Sequence, residues 1–444
     1  MKFTFPHPLA ILLFFIAGAA VLTHVIPAGE YDRILDQKTG REVVVANSYN
    51  QVDSNPISIT QTLVKVPEGI VFGADIVVLI LIIGGAFVVI DKTGAFNEGL
   101  TSLIHKFEHS KQIVLIFVGG FFVLAGALMN MQEEIVAMVP ILIIMAHRLG
   151  YSKITAVAIS TGCAVIGAAI SPMNPFGVLL AQKISDVTPF SGTIFRVIIL
   201  LIVSVFWISW IIKKGKSSHE ITVDTESQKV SLSSRSIIIL LLILVTFVIM
   251  VYGILELDWG YNEMSALFLV LGLTAGIIGK LGINGTSKAY ALGFQEMAFS
   301  AVIVGLARSL YLILDEGIII DTMVYGLFEP LQDLPLAISA VGMTVSQALL
   351  HIPVPSNSGQ AVLTMPLLSP LSDLIGMSRQ VMILCYQYGA MMMDLITPTN
   401  GALLAILTAA GVSFNEWIGF CWRPFLIILG ISLTAIFTAI FIGL

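Results

Sequence analysis

The chain has 444 residues, of which 57% are hydrophobic and 11% are charged, with a formal net charge of -6. Soluble globular proteins carry about a quarter charged residues, so the composition excludes a water-soluble enzyme and a disordered chain. The negative charge also excludes a nucleic-acid partner. We therefore expect an all-α polytopic membrane protein with the lipid bilayer as its surroundings.

The sequence contains no motif for a bound cofactor. Its three cysteines, Cys163, Cys385 and Cys421, lie in apolar stretches and are typical of small buried residues. The sequence has no Gly-Lys-Ser/Thr loop for phosphate binding, so nucleotide-driven pumping is not expected. A coupling ion, either Na⁺ or H⁺, stays open.

Apolar stretches without charge recur along the whole chain, and a helix needs about 20 such residues to cross a bilayer. The first stretch, 8–29, is interpreted as a retained span because it is longer than a signal-peptide core and lacks a small-residue cleavage site. The later stretches are 76–90, 113–132, 135–146, 154–182, 197–212, 236–255, 264–279, 334–350, 352–372, 380–393, 395–415 and 424–444. Two polar segments, 30–69 and 213–235, are interpreted as an extracytoplasmic loop and a cytoplasmic linker.

The two halves of the chain repeat each other at a fixed distance. Several unusual residues recur after 226 positions: Pro140, Gly150, Ser152, Pro172 and Asn174 are matched by Pro366, Gly376, Ser378, Pro398 and Asn400. The same offset aligns two polar clusters, 130–134 and 356–360, each flanked by apolar arms. Each cluster predicts a re-entrant hairpin with a polar tip, followed by a helix broken at 171–175 or 397–401. Such irregular backbone is tolerated at membrane depth only where protein or a cavity surrounds it.

The basic residues predict an orientation. With the N-terminus in the cytoplasm, thirteen Lys and Arg fall in cytoplasmic segments and five outside, which agrees with the positive-inside rule. The first hairpin then enters from the cytoplasm and the second from outside, and 236–255 is the extra crossing that inverts the second repeat. Inverted repeats with broken helices are the layout of secondary transporters.

Several motifs resemble a known family. They are Met131–Glu134, Met173–Phe176, Gly305–Arg308, Ser358–Ala361, Ser378–Gln380 and Thr397–Thr399. They resemble the YfcC-like branch of the C4-dicarboxylate anaerobic carrier family, within the ion transporter superfamily. The resemblance implies a homodimer in the cell inner membrane, with a scaffold and a mobile transport domain that works as an elevator. It also implies substrates that are small carboxylate-bearing metabolites, dicarboxylates in one branch and basic amino acids in the YfcC branch.

The predicted domains follow from the repeats and this resemblance. They are the first scaffold spans with their loop (1–112), hairpin 1 and broken helix 1 of the transport domain (113–190), a closing span, linker and extra span (191–263), the second scaffold spans (264–334), hairpin 2 and broken helix 2 (335–415), and a last span (416–444).

The candidate site residues cluster at the predicted tips and breaks. A helix that starts inside the membrane directs its free N–H groups into the cavity, and one that stops there offers carbonyls. The substrate-binding candidates are Asn130, Gln132, Glu133, Glu134, Asn174, Ser356, Asn357, Ser358, Gln360, Asp394, Thr399 and Asn400. The sodium candidates are Ser356, Ser358, Thr397, Asn400, Ser171 and Asn174. The alternative is that these residues only cap broken helices and fill packing gaps.

Individual ionisable residues keep two interpretations each. Glu133 and Glu134 are acids inside the membrane, which are costly and therefore candidates for binding an ammonium group, a proton or sodium, while Glu134 alone could be a helix cap. Asp394 either faces the cavity or pairs with an internal Arg. Arg308, in a span from about 298 to 314, forms a structural ion pair or binds a substrate carboxylate. His147 and His351 are interpreted as interfacial or packing residues, with proton coupling as the alternative.

The sequence favours an ion-coupled carrier or antiporter for a small carboxylate-containing organic solute, an amino acid (in particular a basic one) or a C4-dicarboxylate. The main alternative is a sodium/proton antiporter without an organic substrate. An intramembrane enzyme is disfavoured because the sequence has no nucleophile–base or metal-binding constellation. An ion channel is disfavoured because two hairpins per chain supply a self-contained site.

Overall fold

The computed structural model describes residues 7–37, 41–106, 111–216, 232–257 and 259–444. Within these ranges, eight helices are long and apolar enough to cross a membrane. They are α1 (Pro8–Val25), α3 (Ala74–Lys92), α5 (Lys111–Met129), α10 (Thr193–Lys214), α11 (Ser234–Glu256), α12 (Tyr261–Ile278), α13 (Gly282–Glu316) and α19 (Phe414–Ile442). The protein is therefore a multi-pass membrane protein that is almost entirely helical.

The polar segment after α1 departs from the all-α expectation, because it contains two small antiparallel sheets. Strands β1 (Gly29–Glu30) and β4 (Asn50–Gln51) form one pair, and β2 (Arg33–Asp36) and β3 (Arg41–Val44) form the other. The rest of the expected loop is also partly helical, since α2 (Ile59–Phe72) begins with a capping box in which Ser58 and Gln61 bond each other's backbone N–H. The predicted turn at 38–40 and most of the predicted linker 213–235 lie outside the described residues.

Helix α13 is longer than the predicted span of about 298–314. It runs unbroken for 35 residues, since it contains no proline. Its glycines do not end it but allow close packing on α3. A Cβ atom at Gly293 would lie 2.6 Å from the carbonyl oxygen of Gly84, so the two helices meet backbone to backbone.

The two predicted hairpins are present as helix pairs with short interruptions. In hairpin 1, α5 ends at Met129 and α6 (Glu133–Arg148) begins after Asn130, whose φ of 55° is left-handed. In hairpin 2, α15 (Leu336–His351) is followed by α16 (Asn357–Leu374), whose first turn is capped by the Ser356 hydroxyl.

Both predicted broken helices are interrupted at the expected residues. The first consists of α7 (Lys153–Val157), a π-helical turn (Ala158–Gly162), α8 (Cys163–Ala169) and α9 (Val178–Ile184), and the second of α17 (Arg379–Gly389), a 3₁₀ segment (Met391–Leu395) and α18 (Gly401–Ala409). Two shorter helices follow α3 and α13. They are α4 (Ala95–Lys106) and α14 (Ile320–Phe328), the latter followed by a 3₁₀ turn (Glu329–Leu331).

Contacts in the two halves match at the spacing of 226 residues. The Lys153 ammonium donates to the carbonyl oxygen of Gly411, and 226 residues later the Arg379 guanidinium donates to that of Ser185 at 2.8 Å. Each cation at the start of one broken helix therefore binds the end of the other. Gly150 and Gly376, also 226 apart, both have a positive φ in the turn before these helices.

Candidate functional site

A cavity of about 360 Å³ lies where the two hairpin tips and the second helix break meet. Its volume falls in the range of small-molecule sites. Most of the predicted substrate-binding residues line it: Asn130, Gln132, Glu133, Glu134, Ser356, Asn357, Ser358, Asp394 and Asn400. The opposite wall comes from one face of α13 and from the junction of α11 with α12.

Asp394 joins the elements around the cavity. One carboxylate oxygen accepts hydrogen bonds from the His351 ring at 2.8 Å and the Asn400 amide at 2.6 Å. The other accepts from the side chains of Gln132 at 2.8 Å and Asn357 at 3.1 Å. Hairpin 1, hairpin 2 and the second break therefore all bind a single carboxylate that is only 3% exposed. Its ionisable partner is a histidine, and not the arginine that the sequence left open.

Both ring nitrogens of His351 are within hydrogen-bond distance of a buried partner. The Gln360 amide nitrogen donates to the backbone and side-chain oxygens of Gln347, which turns the Gln360 side-chain oxygen toward His351 Nδ1, 2.8 Å away. On the other side of the ring, Nε2 lies 2.8 Å from the Asp394 carboxylate. A proton can be shared between these two side chains.

The structure places His351 away from any interface, while the choice between a packing role and proton coupling stays a prediction. The ring is fully buried and both nitrogens are bonded within the cluster around Asp394. A histidine at the end of an apolar arm gave no indication of this, because its partners lie 9 and 43 residues further along the chain. His147, in contrast, is exposed at the end of α6.

The two acids of hairpin 1 have different surroundings. Glu134 is buried and its carboxylate accepts the backbone N–H of Gln132 at 3.2 Å, which agrees with a capping role. Glu133 is partly exposed to the cavity and interacts electrostatically with Arg308. Of the two, Glu133 is the one that a bound ligand reaches directly.

Five of the predicted site residues do not line the cavity, and three of them hold the breaks in place. The Asn174 oxygen accepts the N–H of Gly177, and its amide donates to Gly126. Ser171 donates to Ala127, and Thr399 donates to Ile352. Gln360 orients His351, and the Thr397 hydroxyl is buried without a hydrogen-bond partner among the described residues. The last of these is the sodium candidate whose oxygen stays free.

Several cavity residues could not be recognised from the sequence. Trp259, Tyr261 and Tyr311 line the wall opposite the tips, but aromatic residues near span ends are usually interfacial anchors. Gln347, which supports Gln360, was hidden within an apolar arm.

A multi-pass membrane protein with a polar cavity at helix interruptions is built to move a solute, and not to anchor a domain. The family model for "DcuC: C4-dicarboxylate anaerobic carrier" matches residues 5–441. The chain therefore belongs to the C4-dicarboxylate anaerobic carrier family and is a membrane transporter, as the resemblance predicted.

Relatives and a solved structure are similar to the chain over most of its length. The Escherichia coli protein named "Putative basic amino acid antiporter YfcC" is 28% identical, with 94% of this chain and 92% of the relative covered. An uncharacterized protein of Haemophilus influenzae is also 28% identical, with 94% and 93% covered. A crystal structure of the Alcanivorax borkumensis YdaH transporter covers 99% of both chains, with 16% identity and a TM-score of 0.46.

Proposed function

We infer that the protein is a secondary active transporter of an amino acid, with basic amino acids as the first candidates and C4-dicarboxylates as the second. The observation that carries this proposal is the charge of the cavity, which presents the acids Glu133, Glu134 and Asp394 but also the cation Arg308. Three acids disfavour a doubly negative solute, whereas a solute with both a carboxylate and extra positive charge complements the cavity. The E. coli relative's name agrees with a basic amino acid.

The proposed mechanism is alternating access of an elevator-like transport domain, formed by 113–190 and 335–415, in a homodimer of the inner membrane with a cytoplasmic N-terminus. Asp394 binds both hairpins into one unit, which favours their moving together. This unit approaches α13 closely at a glycine, because a Cβ at Gly401 would lie 2.9 Å from the Cα of Val304. The Ser300 hydroxyl donates to Ala405 there at 3.2 Å. An interface with few polar bonds suits sliding.

The proposed coupling ion is a proton carried by the His351–Asp394 pair. The 2.8 Å contact between His351 Nε2 and the Asp394 carboxylate, together with the burial of both side chains, supports this choice. Sodium at the second break, with Thr397 as a ligand, is the alternative, and a sodium/proton antiporter without an organic substrate is the alternative function.

Counterflow in proteoliposomes tests the proposal. Proteoliposomes that contain the purified protein are loaded with unlabelled arginine, ornithine, leucine or succinate. Uptake of the same labelled solute from outside is then measured with and without sodium. Exchange of arginine or ornithine that does not need sodium is expected, and Glu133→Gln should reduce it. The exposed acid Asp373 offers a matched control, Asp373→Asn. Strong succinate exchange unaffected by Glu133→Gln would contradict the amino-acid proposal, and sodium-dependent proton flux without any solute exchange would favour the alternative function.

A further inference from the structure

A guanidinium and a carboxyl group that are not bonded to each other line the same cavity. They belong to Arg308 on α13 and Glu133 at the tip of hairpin 1, and they are near enough to interact electrostatically. Among the described residues, no carboxylate forms an ion pair with Arg308. Asp394 has its hydrogen bonds already filled by His351, Asn400, Gln132 and Asn357.

The backbone beneath Arg308 is held rigidly by α2. A Cβ at Gly69 would lie 2.5 Å from the backbone nitrogen of Ser309, and one at Gly305 would lie 3.0 Å from the Cα of Ile70. A Cβ at Gly73 would lie 3.1 Å from Cγ of Arg308. The glycines therefore allow α2 to pack closely on α13 around the backbone of Arg308, while the side chain of Arg308 lines the cavity. A fixed charge loses less freedom when it binds a ligand.

We propose that Arg308 is a specificity-determining residue that binds the carboxylate of the transported solute, while Glu133 binds its positive group. A guanidinium binds a carboxylate through two parallel hydrogen bonds, which a lysine cannot reproduce. The two residues thus select solutes that carry both charges and orient them between α13 and hairpin 1. This inference rests on the proposed function, since it assigns the groups of that solute.

The test pairs substitutions with matched solutes. Arginine is compared with agmatine, which lacks only the carboxylate, and with 5-guanidinopentanoate, which lacks only the α-amino group. Binding is measured as ligand-induced stabilisation of the purified protein in detergent, so that variants with no transport are still informative. The variants are Arg308→Gln, Arg308→Lys and Glu133→Gln. Arg148→Gln is the control, because Arg148 binds Thr101 and Asn97 away from the cavity.

The wild type should bind arginine more tightly than agmatine, and Arg308→Gln should remove that preference. We expect arginine binding to weaken about 10- to 100-fold, as for the loss of a charged hydrogen bond, while agmatine binding is unchanged. Arg308→Lys should restore part of the preference. Glu133→Gln should weaken agmatine and arginine binding alike, and Arg148→Gln should change neither.

Equal weakening of arginine and agmatine in Arg308→Gln, or no change in either, would overturn the assignment of the carboxylate. If the wild type binds none of the three guanidino solutes, the amino-acid function fails by itself. Succinate and its monoamide, succinamate, then take the place of arginine and agmatine. Loss of the preference for succinate in Arg308→Gln would retain Arg308 as the carboxylate-binding residue but reject the role of Glu133. An unchanged preference, or no binding of succinate, would reject the whole inference.

Discussion

The two hairpins and the broken helices that follow them are interrupted at matching positions. They differ in the buried side chains next to these interruptions, which are polar in the second half and apolar in the first. In the second half, His351, Gln347 and Asp394 form a buried polar network. The residues 226 positions earlier are Ala125, Phe121 and Ala168.

The helix interruptions do not depend on the polar network of the second half. The first half forms its hairpin and its break with apolar residues at these positions, and burying polar groups costs free energy unless every group is bonded. We therefore expect the polar network of the second half to serve the proposed transport function more than the fold. The predictions below test this division, beginning with the largest expected effect.

Asp394→Asn should have the largest effect on transport. The new amide group would turn a donor toward the donors on Gln132, Asn357 or Asn400, which now bind the carboxylate. A hydrogen bond to a charged group contributes about 1.5–3 kcal/mol, so we expect the initial rate of arginine counterflow to fall by about 100-fold or more. Size-exclusion profiles and thermal unfolding show whether the variant is folded.

The control for Asp394→Asn is Asp373→Asn, which makes the same chemical change at an exposed position of the same half. Its counterflow rate should match the wild type. Wild-type counterflow by Asp394→Asn itself would show that the network is structural after all.

His351→Gln should retain solute exchange but lose the coupling of transport to protons. Glutamine can still donate a hydrogen bond to Asp394, but it cannot exchange a proton with it. Counterflow, which needs no net proton movement, should fall by no more than about tenfold, whereas uptake driven by a pH gradient should be lost. An equal loss of both activities would indicate that His351 acts only as a support.

Asn174→Ala and Asn400→Ala compare the two breaks directly. Both asparagine oxygens accept the N–H three residues later, from Gly177 and Leu403, so each variant should lose about 1 kcal/mol of stability as for an N-cap. Asn400 also donates to Asp394, so its variant alone should lose most of the counterflow. Thermal unfolding and counterflow of both variants check this. Equal loss of transport would place the first break in the site as well.

The interruptions could be predicted from the sequence because they are local. Polar clusters within apolar arms and the breakers Pro172 and Pro398 mark them, and the offset of 226 residues supports each interruption with its counterpart. The extended α13 could not be predicted. Its first half contains polar residues and glycines, which obscure the span, and the close contact of Gly293 with α3 is not visible in the sequence.

The candidate site was predicted in its membership but not in its contacts. Glu133, Asp394 and Arg308 were recognisable as charges in apolar surroundings, and all three line the cavity. The hydrogen bonds of the site connect residues that are far apart in the chain. Gln132 donates to Asp394, for example, across 262 residues. Neither periodicity nor composition predicts such a pairing. The partner of Asp394 and the burial of His351 therefore became known only from the structure.

The smallest effect is expected at the matched cations Lys153 and Arg379, which join the two halves. Each variant, Lys153→Met or Arg379→Met, should lose about 1 kcal/mol or less at pH 7, because the bonds are at least partly exposed. The two should differ in their response to acid. Lys153 donates its hydrogen bond to a carbonyl, which does not titrate, and its interaction with Glu416 is the smallest of those that stabilise the charged form of that carboxyl. Arg379, in contrast, also pairs at 2.7 Å with Asp373 in the last turn of α16.

Hydrogen bonds from Arg379 hold the pKa of the Asp373 carboxyl below its usual range. A lowered folded-state pKa contributes stability above the unfolded pKa of about 3.9, and this contribution is lost as the pH falls through the folded value. The deficit of Arg379→Met relative to the wild type should therefore shrink below about pH 4, while that of Lys153→Met persists. Thermal unfolding in detergent between neutral and acidic pH measures both. Parallel deficits over the whole range would mean that the carbonyl of Ser185, and not Asp373, is the partner through which Arg379 stabilises the second half.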